Sequence, residues 1–305
     1  MGLAIAAKLV ALTLFFLMIW YIWTLVDVKS YKSVGVQGME GRVGASMTDI
    51  QKFFDVSDAS EVTWAHAVNS QEKLQEALAG EVMMIEADVL LRDDDGIPIM
   101  AHPPSTDSDL SLVEFVKAVL ATRKGIKLDF KTTAVVEPSL KILWEEMNSL
   151  HQHTSTPVWL NADILLGPCR FACNAVDPHI FLSLCTKFFP SATLSVGWKT
   201  DFYLKGDDHY EWPMVQQMKN LLAKINQPVT FPVRAKVIGK SMEQMLWLLS
   251  LSNKNTLTIW STTFDNPNTK DLVALHRKVA DKKRLFYDLP VDQHTKFLEE
   301  LKFEA

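Results

Sequence analysis

Eight strand-like stretches alternate with eight helix-period stretches across residues 61–305, and this alternation leaves very few architectures open. Strands are expected at 62–67, 83–91, 125–131, 158–163, 193–198, 229–235, 257–260 and 285–289. Helices follow at 71–79, 112–122, 137–150, 177–189, 213–225, 242–252, 269–280 and 292–302. Parallel strands need a crossover, usually a helix, so repeated strand–helix units build a parallel sheet. Eight such units predict an α/β fold, a TIM-like (β/α)8 barrel. An open, doubly wound sheet is the alternative. It would bring a glycine-rich phosphate loop after an early strand, and none is present. Several helices open on a cap or an early proline, as at Ser241 and Pro138. The second strand carries an addition: Arg92-Asp93-Asp94-Asp95-Gly96 reads as a tight turn into a short strand, 97–101, that ends at His102.

Two strands set charges inside apolar runs: Ile85-Glu86-Ala87-Asp88-Val89 and Lys127-Leu128-Asp129-Phe130-Lys131. Strand side chains alternate faces, so Glu86 and Asp88 project together, as do Lys127, Asp129 and Lys131. Ile85, Ala87, Leu128 and Phe130 face a core instead. Carboxylates crowded on one side of a buried sheet are costly unless they are paired or hold a cation. For any one of them a structural ion pair is the plain alternative. Together the three acids exceed what Lys127 and Lys131 neutralise cheaply. All-carboxylate ligation favours a hard ion, so Glu86, Asp88 and Asp129 are expected to bind Mg2+ or Ca2+.

The C-terminal strand ends of such a barrel form its mouth, where chemistry is placed. His66 ends the first strand and His102 follows the short added strand. Each alone reads as a core histidine satisfying a backbone group, but beside acids an imidazole suits proton exchange near neutral pH. Lys131 reads as a phosphate or anion contact rather than a Schiff-base amine, because Asp129 favours its charged form. Asn161 and Asp163 end the fourth strand, Arg234 lies late in the sixth and Trp260 ends the seventh. Asn161, Arg234 and Trp260 join Lys131 as expected substrate or phosphate contacts.

Residues 9–26 carry no charge and are rich in Leu, Phe, Ile and Trp, long enough to span a bilayer. The run lacks an Ala-x-Ala cleavage pattern and contains Trp20, Tyr21 and Trp23, so an uncleaved anchor is expected rather than a signal peptide. The expected organisation is a transmembrane anchor at 1–28, a linker with a short helix at 29–60 and the barrel at 61–305. Lys29, Lys32 and Arg42 after the run, against Lys8 before it, lean towards a cytoplasmic barrel. A net charge of -5 without a Lys/Arg cluster gives no sign of nucleic-acid binding. Three cysteines, Cys169, Cys173 and Cys185, make no disulfide framework; one bridge from Cys169 or three free thiols both fit.

Several motifs together resemble the menorin family, the "family with sequence similarity 151" proteins. They are Trp64-Ala65-His66-Ala67-Val68-Asn69-Ser70, Ile85–Val89, Ile99-Met100-Ala101-His102-Pro103-Pro104, Gly125–Lys131, Trp159-Leu160-Asn161-Ala162-Asp163, Thr230–Arg234 and Leu257–Trp260. More distantly, the pattern is similar to the glycerophosphodiester phosphodiesterase superfamily, including the sphingomyelinase D phospholipases of spider venom. That resemblance implies one divalent cation on Glu86, Asp88 and Asp129, His66 and His102 as acid and base, and Lys131 on a phosphoryl oxygen. The His-Arg-Gly and Glu-Asn-Thr signatures of the diesterases are missing here, and His66-Ala67-Val68-Asn69 looks more like the venom branch. The apolar run makes a single-pass membrane protein the expectation; the family resemblance slightly favours its barrel on the lumenal or extracellular side, against the lean of the flanking lysines, so the side stays open.

The expected activity is metal-assisted cleavage of a phosphodiester, in a glycerophosphodiester or lysophospholipid, with the N-terminal helix contacting the membrane. The rival is a non-catalytic recognition barrel at the cell surface that keeps its cation as structure. A glycosidase fits less well, because Glu86 and Asp88 share a strand and cannot flank a sugar bond from opposite sides. No residue pattern names a protein partner.

Overall fold

Nine strands form one sheet in the computed structural model, which describes residues 50–149, 156–169 and 174–303. They are β1 (Trp64–Ala65), β2 (Met84–Leu91), β3 (Pro98–Met100), β4 (Gly125–Phe130), β5 (Val158–Leu166), β6 (Thr193–Lys199), β7 (Val229–Arg234), β8 (Asn255–Trp260) and β9 (Leu285–Asp288). The order is β1-β2-β4-β5-β6-β7-β8-β9, parallel throughout, with β3 antiparallel to β2 as a hairpin arm. Eight parallel strands thus make a nearly closed TIM-like barrel. Among the described residues no ladder joins β9 to β1.

The helices are α1 (Ile50–Phe54), α2 (Gln71–Ala79), α3 (Leu112–Leu120), α4 (Thr133–Ser149), α5 (Pro178–Phe188), α6 (Trp212–Leu221), α7 (Met242–Ser250), α8 (Thr269–Lys278) and α9 (Val291–Phe303). Local chemistry explains their starts. Ser70 caps α2 by accepting from the Lys73 amide, Ser111 and Glu114 form a capping box on α3, and Asp177 caps α5 ahead of Pro178. Helix α4 differs from expectation: it begins at Thr133, a turn before Pro138, and keeps that proline inside. The missing amide costs one helical bond. Val135 and Val136, both fully buried, account for the extra turn.

Alternation along the strands sorts their side chains as expected. Ile85, Ala87, Val89, Ile126, Leu128 and Phe130 point outward to the helices and are at most 1% exposed. The barrel interior is layered. Its floor is aromatic, with Trp159 packed 5.3 Å from Trp64 and 4.9 Å from Phe286 (centroid distances), over Met84. Ile50 of α1, Ala59 and Val62 pack into that floor, with Phe54 and Val56 partly buried against it. Charged groups fill the layers above. Register places Glu86 beside Lys127, then Asp88, Asp129, Asn161 and Ser195 in one row across four strands.

The first strand is shorter than expected because the chain leaves the sheet at Ala67, whose φ is +53°. An L-residue in that region is strained. Its amide is held by Glu86 Oε2 at 2.7 Å, which secures the turn.

The membrane expectation needs correcting. Among the described residues no helix is long and apolar enough to cross a membrane, so the assignment as a single-pass membrane protein, and with it the side of its barrel, is not supported. Residues 9–26, on which it rested, lie outside the described residues. Cys169 is disulfide-bonded, whereas Cys185 is a free, buried thiol.

Candidate functional site

Adjacent parallel strands bring the three acids together. Glu86 and Asp88 on β2 and Asp129 on β4 each offer a carboxylate oxygen, and these oxygens lie within 4.8 Å of one another. Glu86 and Asp88 are buried and Asp129 nearly so. Asn69 clamps Asp88 from both ends: its amide donates to Oδ2 at 2.6 Å, and its carbonyl oxygen accepts from the Asp88 amide at 3.0 Å. Asn161 hydrogen-bonds Asp129 and accepts from Ser195 Oγ at 2.5 Å, so it orients that acid from the neighbouring strand.

Lys131 lies against the same acids, with Nζ 2.6 Å from Asp88 Oδ1 and 2.5 Å from Asp129 Oδ2. Burial opposes its charge, yet Asp129 and Asp88 hold its ammonium well above the usual lysine range. Burial works to raise Asp129, but Lys131 holds that carboxyl below its ordinary value. Lys131 is thus a partner of the acids here, where a direct phosphate contact was expected.

His66 stands beside Glu86, its Nδ1 3.6 Å from Oε2, and leans on Asp288 at the end of β9, 3.1 Å from Oδ2. Asp288 also receives Lys127 Nζ at 3.2 Å, and Lys127 lies over the Trp64 ring at 5.5 Å. Partial burial works against the imidazolium, but Glu86 and Asp288 outweigh it and carry His66 up to about 9. The Asp288 carboxyl is held low by His66 and Lys127 despite its burial. Burial pushes Glu86 up to about 7; Asp88 and Asp129 add to this, while His66 and Lys127 oppose it. Asp163 is also raised, by burial and then by Asp129, with Lys199 3.9 Å away.

Five carboxylates (Glu86, Asp88, Asp129, Asp163, Asp288) therefore face Lys127, Lys131, Lys199 and His66, and the acids remain in excess even with His66 protonated. In a confined, low-dielectric space such an excess is a standing cost. A doubly charged ion offsets it, and three carboxylate oxygens at this spacing are a hard donor set that fits Mg2+ or Ca2+.

Two further expected residues have other partners. His102 is exposed, one residue past Ala101, whose amide bonds the Asp88 carbonyl, and its Nδ1 lies 2.6 Å from the Pro103 carbonyl oxygen. Arg234, expected at the substrate, is committed to the fold instead. Its Nε and one terminal nitrogen bond both Asp265 oxygens at 2.8 and 2.9 Å, and its terminal nitrogens also donate to the Asp201 and Phe202 carbonyls at 2.6 and 2.9 Å. It is buried, with its guanidinium 5.4 Å from the half-buried Trp260 ring, and four of its five N–H donors are already engaged.

Asp288 and Asn69 escaped sequence reasoning. For Asp288 the available signal was its place: a lone acid at the C-terminal end of the last strand, where a barrel's working residues sit.

A family model described as the Menorin N-terminal domain matches residues 58–294. Protein FAM151B of Homo sapiens is 45% identical over 244 residues, which cover 79% of this chain and 86% of that protein. Among solved structures, a glycerophosphoryl diester phosphodiesterase from Parabacteroides distasonis aligns with 84% of this chain and 93% of its own, at 11% identity and a TM-score of 0.47. Yersinia pestis DHPS aligns with 81% and 95%, at 12% identity and 0.43. Likeness at that level says nothing about the chemistry of this chain. The domain match runs from before β1 to beyond β9 and includes every acid of the cluster; the chain belongs to the menorin family.

Proposed function

We infer that this barrel cleaves phosphodiesters with the help of a divalent cation. The observation that carries the reading is the convergence of Glu86, Asp88 and Asp129 within 4.8 Å, with His66 alongside. These three acids would hold the ion, which when bound supplies charge stabilisation to the phosphoryl oxygens. The remaining work falls to the chain's own residues. Asp288 takes the Nδ1 side of His66, which leaves Nε2 as the atom that exchanges a proton with the substrate. Asn69 and Asn161 fix the carboxylates of Asp88 and Asp129, so little reorganisation is needed when charge develops. Lys131 adds positive charge at the same point. His102, exposed next to the Ala101–Asp88 backbone bond, is the second proton carrier. A glycerophosphodiester or lysophospholipid is the substrate class that the more distant resemblance to the glycerophosphodiester phosphodiesterase superfamily suggests.

The test is turnover of a phosphodiester panel, including glycerophosphocholine and lysophosphatidylcholine, in Mg2+ or Ca2+, together with calorimetric titration of the cation. Cation-dependent release of choline or glycerol is expected, lowered by about 10²–10⁴-fold in His66→Ala while the protein stays folded. Glu86→Gln with Asp129→Asn is expected to weaken cation binding at least about tenfold. A folded protein that binds the cation and turns over no member of the panel would leave the non-catalytic recognition barrel as the better reading. Undiminished cation binding in the double variant would remove the metal assignment itself.

A further inference from the structure

Three aromatic side chains stand out in solvent at the mouth end of the barrel. Phe202, Tyr203 and Phe264 are 57%, 80% and 81% exposed. Phe202 and Tyr203 lie in the loop after β6, and Phe264 lies in the loop after β8. They touch one another across the gap, with ring centroids 4.7 Å apart for Phe202–Tyr203 and 6.1 Å for Phe202–Phe264. Solvent exposure of three clustered rings opposes the burial that drives folding, and the rings are not loose. The buried Arg234 holds the Asp201 and Phe202 carbonyls, and it grips Asp265, the neighbour of Phe264, through two bonds. Gln293 adds bonds to the Thr262 and Asp265 carbonyls. One ion pair thus fixes both loop tips and presents the rings as a single, rigid platform, which lowers the ordering cost of binding.

We propose that this platform seats the mouth of the barrel on the apolar zone of a lipid bilayer. Three rings at these exposures offer roughly 300–550 Å2 of apolar surface, short of the about 800 Å2 per partner that a stable protein interface uses. A ring four-fifths exposed lines no pocket, so a single aliphatic chain would find no walls there. A bilayer needs neither a large patch nor a pocket. It accepts convex aromatic side chains at its interfacial layer, where the Tyr203 hydroxyl meets head groups and the Phe rings go deeper. The platform does not depend on any spanning helix, nor on the proposed reaction.

The experiment compares label positions within the full chain. Tyr203→Cys and Phe264→Cys carry an environment-sensitive nitrobenzoxadiazole on the thiol, and Asn253→Cys, exposed in the turn before β8 at the far end of the strands, serves as reference. Each is mixed with dioleoylphosphatidylcholine vesicles after circular dichroism has confirmed the fold. Emission is expected to rise by about twofold or more at 203 and 264, to be quenched by nitroxides on the acyl chains, and to stay flat at 253. Because the comparison is internal, binding by any other segment leaves the contrast intact. Equal responses at all three positions, or none at 203 and 264, would overturn the proposal. So would the same rise with dodecylphosphocholine below its micelle threshold and none with vesicles, which would mean a single-chain ligand. A dimer in sedimentation that Phe264→Ser dissolves would assign the surface to a second copy instead.

Discussion

Two buried charge clusters sit at the same end of this barrel, and they are built on opposite terms. On the β7–β8 side, Arg234 meets Asp265 in a two-bond pair and gives two further donors to backbone carbonyls. Four of its five N–H donors are used there, against a single matched acid. On the β2–β4 side, acids outnumber bases, the Glu86 carboxyl is driven up to about 7, and His66 keeps 43% of its side chain in solvent. That cluster has valence left over. A completed pair reads as architecture, and an incomplete one as a place meant to receive something.

The contrast breaks most easily at Arg234. Arg234→Ala strands the Asp265 charge and is expected to cost about 3–5 kcal/mol in urea unfolding, while calorimetric cation affinity stays within about twofold of the parent. Glu86→Gln should do the reverse, weakening cation binding while holding unfolding free energy within about 1 kcal/mol, because the carboxyl whose charge the site disfavours is neutralised. Should both variants destabilise alike, the distinction fails.

A smaller effect is expected at Asp288, which acts through His66. Asp288→Asn should lower turnover by about 10–100-fold with little change in KM, and should move the pH profile down as His66 loses a carboxylate neighbour. A variant that changes only thermal stability would reduce Asp288 to scaffold.

The smallest effect is a slope in pH. In cation-free protein the folded His66 value of about 9 lies above its ordinary 6.5. A raised value gives stability that is complete below 6.5 and lost as pH climbs towards about 9. Glu86, at about 7 against an ordinary 4.5, acts in the same direction at lower pH. Calorimetric Tm of cation-free protein should therefore fall between pH 5 and pH 9, and His66→Asn should flatten the upper half. Saturating Mg2+ should flatten it further by replacing the proton as the balancing charge. A Tm that rises over this range would contradict the charge balance described for the site.

The sequence shows one cluster far better than the other, for a physical reason. Glu86, Asp88 and Asp129 declare themselves because a period of two puts their charges on the face opposite Ile85, Ala87 and Leu128, and parallel pairing makes neighbours of strands consecutive in the barrel. Nothing local to Arg234 reveals that its partner is Asp265, in a loop 31 residues on. Asp288 was hidden for the same reason, since it meets His66 across 222 residues of chain. His102 follows a legible hairpin, but where its ring points depends on the Pro103 carbonyl, a detail below the resolution of any residue pattern.

Because β1 pairs for only two residues and no backbone ladder ties it to β9, the barrel is a split ring. Across the gap, above the floor where Trp64 and Phe286 share one apolar cluster, an imidazole rests on a carboxylate, and that imidazole also belongs to the candidate site. Mechanical closure and proton handling thus share a contact, so whatever draws His66 towards a ligand also loosens one fastening of the first strand to the last.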